Sequence, residues 1–221
     1  MLRTLDLIGT LVFAMSGAFR AVKYELDLLG VLTLATVTGV GGGILRDMAM
    51  GTTPPVVFHD EAYLLVCVIG GLAVFLAPKR IATRWDWLMI ADAVGLSVFA
   101  AIGAAKASSA GFGVIGIMMM AAMTACGGGV IRDVLVTEVP VVLRADFYAT
   151  AALAGGACLV AARHAGLAEN AQLLCAAAAT LCLRLLAMKY RLSLPKARRM
   201  PASPSQLAQS RRSAQETRDG K

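Results

Sequence analysis

Charge is scarce in this chain. Only 16% of its 221 residues are Asp, Glu, Lys or Arg, 6% are aromatic, and two are histidine. Soluble domains carry about 25% charged residues, so the composition argues against an ordinary soluble fold. His59 and His164 stand alone in loops with no partner at ligand spacing, which argues against a metal centre. The five cysteines, Cys67, Cys126, Cys158, Cys175 and Cys182, lie inside apolar runs without a CxxC pair. They read as small buried hydrophobes. No nucleophile, base and orienting acid recur together, so we expect no enzyme, no catalytic residue and no cofactor. The glycine-rich stretch 39–44 lacks the last glycine of GxGxxG, no GK[ST] is present, and no strand precedes it, so a phosphate cradle is excluded.

Apolar residues fill the space left by charge. They make up 58% of the chain, and the mean hydropathy is +0.71. Seven runs have the length to cross a bilayer: Thr4 to Val22, Leu28 to Met50, Ala62 to Ala77, Trp87 to Ala105, Gly113 to Val136, Phe147 to Ala162 and Ala171 to Met188. The first run has no small-residue cleavage site and reads as a true span. The net charge of +7 is confined to the segment from Lys189 onward, where about nine basic residues face two acids. A basic segment next to a span, with no interleaved aromatics, suits anionic lipid headgroups and argues against nucleic acid. Residues 191–221 read as a disordered cytoplasmic tail. The positive-inside bias then places the N-terminus outside and the C-terminus in the cytoplasm, with Arg20, Lys23, Lys79, Arg80, Arg84 and Arg144 on the inner side. This is a multi-pass protein of the plasma, or inner, membrane.

One stretch is written twice. Thr38-Gly39-Val40-Gly41-Gly42-Gly43-Ile44-Leu45-Arg46-Asp47 returns as Thr124-Ala125-Cys126-Gly127-Gly128-Gly129-Val130-Ile131-Arg132-Asp133, at an offset of about 86 residues. The same offset superposes Asp6 on Asp92, Gly9 on Gly95, Phe13 on Phe99 and Gly17 on Gly103. The chain therefore reads as an all-α membrane protein of two three-helix repeats, about 4–77 and about 87–162, with a seventh helix at about 171–188. Each repeat crosses an odd number of times, so the second inserts upside down relative to the first.

Three adjacent glycines weaken a helix by about 1 kcal/mol each relative to Ala, so a bend is expected at Gly41, Gly42, Gly43 and at Gly127, Gly128, Gly129. Bent helices at the midplane expose carbonyls suited to a cation, whereas a packing role would let two helices approach closely. Arg46 lies about 10 Å along its helix from the middle of the span. Adjacent helical residues point in different directions, so Arg46 is expected to find a partner other than Asp47. Depth then groups Asp6, Arg46 and Asp47, with Lys106 as a further candidate, at an outer mouth. It groups Asp92, Arg132 and Asp133, with Arg20, at an inner one.

The doubled GGG-x-x-Arg-Asp, set in the second helix of each repeat, resembles the prokaryotic branch of the trimeric intracellular cation (TRIC) channel family over about residues 4 to 190. Such sequences are also grouped under a domain named for glycine transport. The resemblance implies a seven-helix protomer, a homotrimer in membrane lipid, and a potassium-permeable pore for monovalent cations in each protomer, with the second and fifth helices kinked at the glycines. The Lys-Glu-Val motif of the eukaryotic members, tied to phosphoinositide binding, is absent from this chain. A carrier of a small solute or amino acid such as glycine, working by alternating access, uses inverted repeats equally well.

Overall fold

The structure, a computed structural model, describes residues 2–76, 85–144, 147–190 and 192. The basic segment beyond Tyr190, Leu192 apart, and the 77–84 stretch with Lys79, Arg80 and Arg84 lie outside the described residues. The apolar runs fold as α1 (Leu2–Lys23), α2 (Leu28–Ala49) and α3 (Ala62–Leu76), then α4 (Trp85–Ser109), α5 (Val114–Leu135) and α6 (Ala149–His164), and last α7 (Glu169–Tyr190). Five of these helices are long and apolar enough to cross a membrane. The third helix of each repeat is shorter, at 15 residues in α3 and 16 in α6. Sixteen residues reach only about 24 Å. Short helical pieces, Val56–Phe58 before α3 and Val141–Arg144 before α6, fill out both ends in the same way.

Helix ends close by the same chemistry in both repeats. The N–H of Leu26 bonds the carbonyl of Ala21, and that of Phe112 bonds Ala107; Thr52 bonds Asp47, and Glu138 bonds Asp133. These are the six-to-one bonds that finish a helix through a left-handed residue. Glu25 (φ 54°), Gly111 (φ 79°), Gly51 (φ 73°) and Thr137 (φ 57°) supply it. Only two of the four are glycine, so geometry is duplicated where sequence is not.

Packing shows the inversion directly. One end of the bundle gathers the start of α1 (Asp6), the end of α2 (Arg46, Asp47), the start of α3 (Tyr63) and the end of α4 (Lys106). The opposite end gathers the end of α1 (Arg20), the first half of α4 (Asp92) and the end of α5 (Arg132, Asp133). Corresponding helices therefore run in opposite directions. α1 packs on α2, α3 and α4, while α4 packs on α5, α6 and α1; α2 and α5 cross each other. Residues that meet their own repeat mates mark the two-fold axis. The Phe13 and Phe99 rings stack with centroids 5.2 Å apart, and Gly42 faces Gly128. The seventh helix has no counterpart; it lies on α4 and α6.

Candidate functional site

Both glycine triplets are helical throughout, and each glycine meets something different. A methyl group on Gly42 would collide with the Thr124 carbonyl oxygen, and one on Gly128 with that of Thr38. These two glycines let the α2 and α5 backbones touch. A methyl on Gly41 would lie 3.1 Å from the Ile131 side chain, and one on Gly127 would lie 2.8 Å from Leu45. The third glycine of each triplet turns away from the crossing. From Gly43 the nearest group is the Arg46 Nη2 at 3.6 Å, and from Gly129 they are the Tyr148 hydroxyl at 3.5 Å and Arg132 Nη2 at 3.7 Å. The choice between packing and an open backbone thus divides by position within the triplet. The first two glycines pack, and the third looks toward the charges.

Arg46 and Arg132 are both buried, 2% and 3% exposed, so their partners decide whether their charge is tolerable. The expectation that neighbours in sequence cannot pair is corrected here. Arg46 donates from Nε to Asp47 Oδ1 at 2.9 Å, and Arg132 donates from Nε to Asp133 Oδ1 at 2.9 Å. The two Cβ atoms diverge by about 100° around the helix, but the Arg stem is long enough to wrap back across that angle. Each Asp then uses its second oxygen on the following loop: Asp47 Oδ2 accepts from the Val56 N–H at 3.1 Å, and Asp133 Oδ2 from the Val141 N–H at 2.8 Å.

The repeats exchange partners across the axis. Lys106 of the second repeat lies 3.7 Å from Asp47 of the first, and Arg20 of the first lies 3.4 Å from Asp133 of the second. Asp6 stands 3.9 Å from Arg46, and Asp92 stands 3.3 Å from Arg132. All six charged candidates are thereby brought into two groups, with Lys106 in one and Arg20 in the other.

Several participants carry no sequence signal of their own. Tyr63 donates to Asp6 Oδ2 at 3.1 Å. Its mate is Tyr148, one residue short of the offset that joins the first two helices, because the loop before the third helix is shorter in the second repeat. Allowing that single gap is the step that would have found the pair. Ser16 accepts a hydrogen bond from Arg132 Nη1 at 2.7 Å, and its mate is Ile102. At the Arg132 end, Glu138 binds Arg20 (3.0 Å), Lys23 (3.6 Å), Arg144 (2.9 Å) and the Tyr24 hydroxyl. The Tyr24 hydrogen bond, followed by the nearby cations, holds the Glu138 carboxyl down to about 2.

A cavity adjoins the Arg46 group, with walls that include Asp6, Gly39, Gly43, Arg46 and Tyr63. Its volume is about 20 Å³, room for a water molecule. Helices, two opposed charged groups, and a backbone crossing between them define a membrane protein of seven helices in inverted repeats.

The family comparison reaches the same protein from the other direction. The family model described as Glycine transporter matches residues 3–79 and again 89–164, one copy for each repeat. A UPF0126 membrane protein of Vibrio cholerae is 43% identical over 198 residues, covering 88% of this chain and 82% of that protein. The UPF0126 inner membrane protein YadS of Escherichia coli is 39% identical over 194 residues, covering 86% and 93%. The chain belongs to this glycine-transporter, or UPF0126, family of membrane proteins. Among solved structures, a TRIC cation channel superposes with a TM-score of 0.84 at 39% identity, over 90% of this chain and 98% of that one. The TRIC trimeric intracellular cation channel orthologue from Rhodobacter sphaeroides gives 0.82 at 37%, over 86% and 98%. The resemblance read from the doubled motif is therefore shown over most of the chain.

Proposed function

We propose that this protein is a cation channel of the TRIC type, working as a homotrimer with a potassium-permeable path through each protomer. The observation that carries the reading is the likeness to a solved TRIC cation channel over 90% of the chain at 39% identity. The path runs beside the α2 and α5 crossing, from the cavity at Asp6 and Gly43 toward Gly129 and Asp92. At each mouth the carboxylates attract cations while the paired guanidinium keeps them from being held too tightly. Opening bends α2 and α5 at the glycines that face the charges. With the inner-membrane relative as a guide, the protein sits in the bacterial inner membrane, the Asp6 mouth outside and the Asp92 mouth facing the cytoplasm. The transmembrane body is 1–190, comprising the two repeats and the seventh helix, and 191–221 is its cytoplasmic tail.

Two observations favour a carrier of a small solute such as glycine: the family description, and a cavity of only about 20 Å³ beside the Arg46 group. Purified protein in planar bilayers under a potassium gradient separates the two. Unitary currents establish the channel, and saturable solute uptake into vesicles without such currents replaces it with the carrier.

A further inference from the structure

We propose that Arg184, on the unpaired helix α7, is a positioning residue that closes one half of the permeation path by holding Tyr148 against Gly129. The proposal rests on the pathway assigned above, and it begins from the two repeat-related tyrosines. Tyr63 hydrogen-bonds Asp6 at 3.1 Å, and the third glycine of its half, Gly43, has only Arg46 Nη2 near it. Tyr148 faces the corresponding carboxylate, Asp92, but its hydroxyl makes no hydrogen bond of ordinary geometry among the described residues, and it lies 3.5 Å from where a Gly129 methyl would stand.

A buried hydroxyl held only loosely by its carboxylate is positioned better when its ring has a second contact. The ring of Tyr148 supplies the handle. The Arg184 guanidinium carbon stands 4.8 Å from the ring centroid, and both residues are buried, at 8% and 2% exposed. A desolvated cation on an aromatic face is a strong contact. Tyr63 is not described with such a cation, and α7 has no mate in the first repeat. The helix that stands outside the duplication thus acts on one half only. Displacing α7 outward withdraws Arg184, frees the ring, and opens the space in front of Gly129. Cys126 reports on that space: it lies one turn from Gly129 on the same face of α5, is 6% exposed, and packs in the same cluster as Tyr148.

The test uses full-length protein retaining Cys126 as its one cysteine, in lipid vesicles, with a small cationic methanethiosulfonate as the probe. Arg184→Gln should speed modification of Cys126 on the order of tenfold, and Arg184→Lys, which keeps a cation over the ring, should stay near wild type. Tyr148→Phe keeps the ring contact and deletes the hydroxyl, so it too should speed modification. The double variant should exceed neither single by much, since both act through one hydroxyl. An unchanged rate in Arg184→Gln overturns the proposal, as does a multiplicative double or a lysine that behaves like glutamine. Should Arg184→Gln fail to insert, an unaltered rate in Tyr148→Phe overturns it alone. Labelling requires no current, so a wild type silent in bilayers sinks the channel reading and leaves this result to stand or fall separately.

Discussion

At the Arg132 end the buried guanidinium bonds Asp133, Ser16 and Asp92, whereas at the Arg46 end it bonds Asp47, and its Nη1 has no hydrogen-bond partner among the described residues. The cause is one pair of repeat mates: α1 offers Ser16 to Arg132, and α4 offers Ile102 in the corresponding place. The carboxylate on the first helix of each repeat follows the same trend, 3.3 Å from Arg132 at Asp92 and 3.9 Å from Arg46 at Asp6. Where the Arg132 end has Glu138 gathering three cations and a tyrosine, its mate at the other end is Thr52. Duplication conserved the ion pair that makes a buried arginine tolerable. The groups around it diverged, leaving more hydrogen bonds on Arg132 than on Arg46, which has a cavity of about 20 Å³ beside it.

Removing the shared acid should give the largest effect. Asp47→Ala takes from Arg46 its one described hydrogen-bond partner, leaving Asp6 at 3.9 Å, and deprives the Val56 N–H of its acceptor, which typically costs about 3–5 kcal/mol. Asp133→Ala should fall at the lower part of that range, because Arg132 keeps Asp92 and Ser16, and Arg20 keeps Glu138. Melting of the purified protein in detergent ranks the two. If Asp133→Ala proves the more damaging, the bonds that Arg132 keeps do not compensate its charge.

Substitutions on the axis should break the two halves equally. Gly42→Ala and Gly128→Ala each drive a methyl into a carbonyl of the opposite helix, an overpacking worth about 1–3 kcal/mol. Gly43→Ala meets its nearest neighbour at 3.6 Å, an ordinary contact, and gains up to about 1 kcal/mol of helix preference. Melting curves showing Gly43→Ala as harmful as Gly42→Ala would mean that the triplet acts as one unit and not by position.

Ser16→Ala should make the Arg132 end resemble the Arg46 end. One charged hydrogen bond is lost from a buried donor, which costs about 1.5–3 kcal/mol, and the equivalent Ile102→Ala removes volume without touching any hydrogen bond described for Arg46. Double-mutant cycles sharpen the point: Ser16 and Arg132 should couple, while Asp6 and Arg132, at opposite ends, should be additive. Strong Asp6 to Arg132 coupling would contradict the inverted arrangement.

These differences explain how far the sequence could be read. The repeats, the inversion and the membership of each charged group followed from offset and depth, since a duplicated Arg-Asp pair in apolar surroundings must be solved twice. Ser16 was invisible because its mate is apolar, and a lone serine on a small-residue face carries no mark. Tyr148 was hidden by a one-residue shift in the loop. The Arg46 and Asp47 contact was missed because helical spacing describes Cβ directions and not the reach of a long side chain. Division of labour among the glycines depends on which way α5 crosses α2, a property of the packed pair.

The smallest effect should come from the surface group that only one end possesses. Glu138 is held at about 2 in the folded protein against an ordinary value of 4.5, first through its hydrogen bond from Tyr24 and then through Arg144, Arg20 and Lys23. A depressed folded value favours the folded state above the unfolded value, and that contribution drains away as pH falls from 4.5 toward 2. The group borders solvent, so salt and water screen it, and each exposed pair is worth under about 1 kcal/mol. Glu138→Gln removes the titrating charge and keeps most of the shape. Wild type and variant should therefore differ in melting temperature at pH 7 and converge as pH falls through that window, while Thr52→Ala, the mate at the other end, should track wild type at every pH. A gap between wild type and Glu138→Gln that stays constant across the window would show that Glu138 works by packing, and the Arg132 end would then owe its rigidity to the buried bonds of Ser16 and Asp92 alone.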